Sequence, residues 1–110
     1  MTFEEYQEHT KETAFYPKEH NLNLIYTSLG LASEAGEVAG KMKKVIRDMH
    51  GVISEDVRYD MAKEIGDTLW YVSQLSAELG LTLDEVAAAN LEKLHNRKQR
   101  GMLGGSGDNR

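Results

Sequence analysis

Apolar positions recur along the chain at helical spacing in four segments, each bounded by a recognisable start or stop signal. The first predicted helix runs from Thr2, a good N-cap, to about Phe15, with Phe3, Tyr6, Thr10 and Ala14 on one stripe before Pro17 breaks it. The second is long, from about Asn21 to Met49, and His50-Gly51 reads as its end. Ser54, followed by Glu55 and Asp56, caps a third helix that continues to about Leu79, before Gly80. Val57, Met61, Ile65, Leu69, Val72 and Leu75 mark its expected core face. Thr82-Leu83-Asp84-Glu85 is a capping box for the fourth helix, whose inward stripe reads Leu83, Val86, Asn90, Leu94 and Arg97. With one proline in 110 residues, the pattern predicts an all-α, four-helix, bundle-like fold over residues 1–100. Four glycines in the ten residues after Arg100 predict a flexible tail at 101–110.

Composition narrows the field of functions. A chain of 110 residues fits one domain, yet sits near the size at which partner copies complete the burial, so an oligomer is expected. A net charge of -5 argues against a nucleic-acid polymer or an anionic membrane as partner. The absence of cysteine excludes a disulfide framework and a thiolate zinc site. The opening MTFEEYQEH lacks the basic and apolar character of a signal peptide. The longest uncharged run, Asn21 to Ser33, is shorter than the roughly 18 apolar residues that span a bilayer. A soluble, cytoplasmic protein is the expectation.

Charge placement raises a sharper question. Glu34 and Glu37 are the only charged residues from Asn21 to Gly40, and Glu64 and Asp67 the only ones from Glu64 to Ala77. Residues three apart share a helix face. The spacing alone is no signal, since Glu5-x-x-Glu8 repeats it in a charged amphipathic helix that needs no function. Position adds the information, because the two inner pairs are mirrored about the His50-Gly51 turn. If the second and third helices fold back antiparallel there, both pairs lie roughly 22 Å from the turn and face one another. Four carboxylates so gathered repel, and survive together through protonation or a cation, for which a hard divalent ion such as Mg²⁺ is suited. The alternative is two solvated acidic faces paired with Lys41, Lys43, Lys44 and Lys63.

Other features allow two readings each. Ala32, Gly36 and Gly40 share a four-residue spacing, and with Gly30 they suit close helix packing or the approach of a ligand to the backbone. Asn90, Lys93 and Arg97 share a face of the fourth helix, where they serve packing and the helix dipole or bind sugar and phosphate. Tyr71 joins the Glu64-Asp67 face, while Trp70 is rotated by about 100°. Glu92-x-x-His95 matches an element of di-iron bundles but occurs once where two are needed.

Taken together, Glu34-x-x-Glu37, Glu64-x-x-Asp67 and Asn90-x-x-Lys93-x-x-x-Arg97 resemble the signature of the all-α nucleoside triphosphate pyrophosphohydrolases. GLASEAGEVAGKMKK and KEIGDTLWYVSQL are similar to the MazG-like members over roughly residues 22–100, and RGMLGGSGDNR is similar to endings of small relatives. The resemblance implies cleavage of a nucleoside triphosphate between its α and β phosphates, giving monophosphate and pyrophosphate. It implies Glu34, Glu37, Glu64 and Asp67 as catalytic ligands of Mg²⁺, with Mn²⁺ as a substitute, and one glutamate orienting the attacking water. Lys41, Tyr71, Asn90, Lys93 and Arg97 would bind the nucleotide, in a homodimer or homotetramer with sites at helix interfaces. The competing reading is a non-catalytic helical module that senses nucleotides or binds a protein.

Overall fold

The computed structural model describes residues 1–110, and it is all-α. Helix α1 spans Phe3–Thr10, α2 Leu22–Asp48, α3 Glu55–Glu78 and α4 Leu83–Gln99. Local chemistry explains the starts. Thr2 and Glu5 form a capping box on α1, Thr82 and Glu85 form another on α4, and the Ser54 hydroxyl accepts from the Val57 N–H on α3. Helix α1 is shorter than the sequence predicts. After Thr10 the chain tightens into a 3₁₀ turn at Lys11–Thr13, where the Thr10 hydroxyl donates to the Gln7 carbonyl at 2.8 Å.

Helices α2 and α3 form the frame. The chain reverses between them with His50 and Gly51 in the left-handed region, at φ of 53° and 75°. The Gly51 N–H returns to the Val45 carbonyl at 3.1 Å, closing the end of α2. Asn23 bonds Glu78, Tyr71 covers Gly30, and Lys41 meets Glu64, so successive contacts step in opposite directions along the two helices.

Packing within one chain is sparse and largely polar. The buried apolar residues are Ala14, Tyr16, Val45, Val57 and Leu83, whereas Gln7, Thr10, Thr27, Ser73, Gln74, Ser76 and Arg97 are buried polar ones. Gln7 ties α1 to the α3–α4 junction by donating to the Leu81 carbonyl at 3.0 Å and accepting from the Leu83 N–H at 3.3 Å. Thr10 pairs with Ser73 at 3.1 Å and accepts from Gln74. The Tyr16 hydroxyl donates to Gln74 at 3.1 Å and to Glu78, and Glu78 also accepts from Asn23 at 2.7 Å. This network docks the N-terminal segment with few hydrophobic contacts.

The expected core face of α3 is only partly buried. Val57 is buried and Met61, Val72 and Leu75 half-buried, but Ile65 is 56% and Leu69 37% exposed. The half-buried line of α3 runs instead through Met61, Glu64, Thr68 and Tyr71, so Ile65 and Leu69 rotate outward. Ile25, Leu29, Ile46 and Leu91 are exposed as well. The radius of gyration is 16.9 Å, against about 13 Å for a compact chain of this length.

Replacing Tyr16 by phenylalanine leaves the buried Gln74 Oε1 without its donor and Glu78 with Asn23 alone, and a loss of about 1–2 kcal/mol in urea unfolding is expected at neutral pH. Hydrogen bonds from Tyr16 and then Asn23 hold the Glu78 carboxyl below its ordinary range. That stabilisation is present above the pKa of an unfolded glutamate and is lost as the pH falls through the lower folded value. The Tyr16→Phe chain should therefore lose less stability on acidification than the parent, measured by the same unfolding curves at pH 7 and pH 3.

Candidate functional site

Midway along the hairpin, Glu34 of α2 meets Glu64 and Asp67 of α3, with one carboxylate oxygen from each lying within 4.8 Å of the others. Three-residue spacing turns Glu64 and Asp67 to one side of α3, and the antiparallel register brings Glu34 opposite them. Glu34 and Glu64 are half-buried and Asp67 is exposed. Burial first, and then the charges of Asp67, Glu64 and Glu37, raise the Glu34 carboxyl above its ordinary range. The one ion pair made by these acids joins Lys41 Nζ to Glu64 Oε1 at 3.5 Å. Three converging acids with one lysine leave an excess of negative charge and an all-oxygen donor set, which fits a hard divalent cation. Glu37 lies outside the trio and is exposed, although its charge still reaches Glu34.

Beside the carboxylates is a cavity of about 420 Å³ lined by Thr13, Glu34, Asp67, Trp70 and Tyr71. Trp70 and Tyr71 form its aromatic wall, and the aromatic cluster continues away from it through Tyr16 and Tyr26. The Trp70 and Tyr71 rings meet edge to face at 4.9 Å, Trp70 lies 6.4 Å from Tyr16, and Tyr16 stacks on Tyr26 at 5.3 Å. Helical phase alone separates Trp70 from the Tyr71 face, but the indole spans that angle and its N–H donates to Thr13 Oγ1 at 2.9 Å. Thr13 escaped the sequence reading, since it follows α1 and carries no periodic signal. Gly30 owes its place to Tyr71, whose ring occupies the space of an added Cβ. An added Cβ at Gly36 or Gly40 would enter open space, so intrachain packing explains only the first of these glycines.

The remaining expected site residues lie on α4. Asn90 and Lys93 line a cavity with Leu81 and Val86, and Asn90 is exposed rather than held in an apolar stripe. Val86 and Leu94 on that stripe are exposed too, so within one chain α4 buries chiefly Leu83 and Arg97. Lys93 and Arg97 line another cavity and face residues 101–110, a segment whose glycine content suggests a flexible tail but which here folds back on α4. Neither cavity includes a carboxylate of the Glu34 cluster. The fold thus brings Glu34, Glu64, Asp67, Lys41 and Tyr71 together, and holds Asn90, Lys93 and Arg97 in a second group.

Residues 24–102 match the family described as the MazG nucleotide pyrophosphohydrolase domain. The chain is also similar to the gene 37 protein of Mycobacterium phage L5, at 46% identity over 109 residues covering 96% of each chain. No solved structure matches.

Two outcomes are expected of this geometry. Gly30→Ala should displace Tyr71 from α2 and lower the melting temperature, with a change in near-ultraviolet dichroism from the aromatic cluster; an unchanged aromatic signal would contradict the contact. Because a bound cation relieves the acid repulsion, millimolar MgCl₂ should raise the melting temperature beyond NaCl of matched ionic strength, and Glu34→Gln should abolish that difference.

Proposed function

The chain belongs to the family of MazG nucleotide pyrophosphohydrolase domains, and from that premise we propose that it hydrolyses a ribo- or deoxyribonucleoside triphosphate between the α and β phosphates. The products would be the monophosphate and pyrophosphate. One observation carries the reading: acids from two helices converge on one point beside an aromatic-walled cavity. Glu34, Glu64 and Asp67 would be the principal ligands of Mg²⁺, or of Mn²⁺ in its place, with Glu37 at the edge of the site. When bound, the ion neutralises phosphate charge and acidifies a water molecule.

The protein's own groups would supply position and charge. Glu37 is exposed and outside the cluster, which leaves its carboxylate free to orient the attacking water and accept its proton. Lys41 neutralises Glu64 in the structure and is within reach of a phosphate brought to the acids. Trp70 and Tyr71 offer ring faces and edges to a nucleobase, and burial keeps the Tyr71 hydroxyl protonated well above neutral pH. With the nucleotide held between acids and aromatics, catalysis would rest on positioning and electrostatic stabilisation.

Asn90, Lys93 and Arg97 would contact phosphate or sugar, but a single chain holds them apart from the acids. A homodimer or homotetramer that seats α4 of one copy near the hairpin of another would unite the two groups, and it would cover Ile25, Leu29, Ile46 and Ile65. A single domain over residues 1–100, a tail at 101–110 and a cytoplasmic location belong to the same proposal. Net charge of -5 is unfavourable for a nucleic-acid polymer as partner, and no helix is long and apolar enough to cross a membrane.

Incubation with each of the eight common nucleoside triphosphates and Mg²⁺, with pyrophosphate separated from orthophosphate, tests the reaction. Pyrophosphate and monophosphate are expected, and Glu64→Gln should lower turnover on the order of 10²-fold or more while helical content stays unchanged. Orthophosphate as the product would contradict the bond assigned. Nucleotide-induced melting shifts with no product from any substrate would identify a non-catalytic binding module instead.

A further inference from the structure

The glycine-rich segment 101–110 has an internal framework built on one side chain. Gly101, Gly105 and Gly107 adopt φ of 67°, 88° and 89°, which coil the chain tightly. The Arg110 guanidinium sits within that coil and donates to the carbonyls of Met102, Leu103, Gly104 and Gly107 at 2.6–3.2 Å. Two further bonds fasten the coil to the end of α4: Arg100 donates to the Arg110 carbonyl at 2.7 Å, and the Met102 N–H to the Arg97 carbonyl at 2.7 Å.

The coil presents Asp108 to α4. Asp108 Oδ1 accepts from Lys93 Nζ at 2.9 Å and from Arg97 Nη2 at 3.2 Å, and Arg97 Nη2 donates to the Asp108 main-chain oxygen as well. Lys93, and after it Arg97, hold the Asp108 carboxyl below its ordinary range. The partners are unequal in burial. The Arg97 side chain is 6% exposed and its Nε has no acceptor, whereas Asp108 is 81% exposed. Arg97 is therefore the fixed member and Asp108 the replaceable one. An exposed carboxylate in an ion pair contributes little and is screened by salt. A phosphate group brings more charge and more acceptor oxygens to the same donors. Asn96, Arg100, Arg110 and one further acid, Glu92, share with these residues a cavity of about 340 Å³, in which basic side chains outnumber acidic ones four to two and an incoming anion has room.

We propose that Asp108 is an internal competitor for the polyphosphate of the substrate: it occupies Lys93 and Arg97 in the free protein, and the ligand reaches those cations by displacing it with segment 101–110. The inference rests on the reading that Lys93 and Arg97 receive phosphate, but the exchange itself requires neither metal nor hydrolysis. Asp108 is thus an autoinhibitory contact that sets the apparent affinity for anions.

The test uses the full chain and Asp108→Asn, both in EDTA, titrated with inorganic pyrophosphate by calorimetry and by amide NMR. Asparagine keeps the shape and one acceptor oxygen while removing the charge. Asp108→Asn should bind pyrophosphate roughly fivefold more tightly than the parent. In the parent chain, pyrophosphate should shift the Gly104, Gly105 and Gly107 amides. Equal or weaker binding by Asp108→Asn would overturn the inference, as would parental binding that leaves those amides unmoved. Failure here is separable from failure of the functional reading. Amide shifts in a chain that releases no pyrophosphate from nucleotides would sink the reading alone, and turnover without such shifts would sink only the role of Asp108.

Discussion

Glu34 meets Glu64 and Asp67 because α2 and α3 turn back on one another at a single register, and the site, the glycine contact and the aromatic wall all follow from that register. Shifting α3 by one residue would rotate it by about 100° and replace the acids at the meeting point with other side chains. The two ends of the hairpin hold the register differently. Val45 and Val57 pack beside the turn, whereas Asn23 and Glu78 are joined by a hydrogen bond at the far end. Between them the acids repel, so the middle of the frame is held against its own electrostatics by contacts on either side.

Polar residues supply much of the specificity within the chain. Gln7, Thr10, Tyr16, Ser73, Gln74 and Glu78 satisfy one another's hydrogen bonds across α1, the loop after it and α3. Such a network adds little net stability per bond, but each unmade bond is costly, which makes it selective for one docking geometry. Its consequence for the site is direct. The docked segment carries Thr13 into the wall of the cavity and sets Tyr16 against Trp70.

Charge on α4 is managed differently from charge on the hairpin. Around Glu34 the acids outnumber their single lysine partner, which leaves an appetite for cations. Around Arg97 the side chains of Lys93, Arg97, Arg100 and Arg110 outnumber those of Glu92 and Asp108, which leaves an appetite for anions. The nucleotides to which the family's description points are anions, which the basic surface of α4 suits.

Much of the frame was written locally in the chain. Helix starts at Thr2, Ser54 and Thr82 and the turn at His50-Gly51 could be read directly, because caps and turn residues act over a few residues, and of the four mirrored acids Glu34, Glu64 and Asp67 meet while Glu37 stays outside. The family was legible for the same reason, as its signature lies in short motifs at fixed spacing. Tertiary structure decided what periodicity cannot express. It chose which apolar stripe of α3 faces α2 and left Ile65 and Leu69 outside, because the two-helix contact follows Glu64 and Tyr71. It drew Trp70 into the cavity through a bond to Thr13, 57 positions away. It also turned a glycine-rich stretch back onto α4, because Arg110 finds four carbonyls only once the chain has coiled. Composition registers the freedom of glycine, but not the distant charge that uses it.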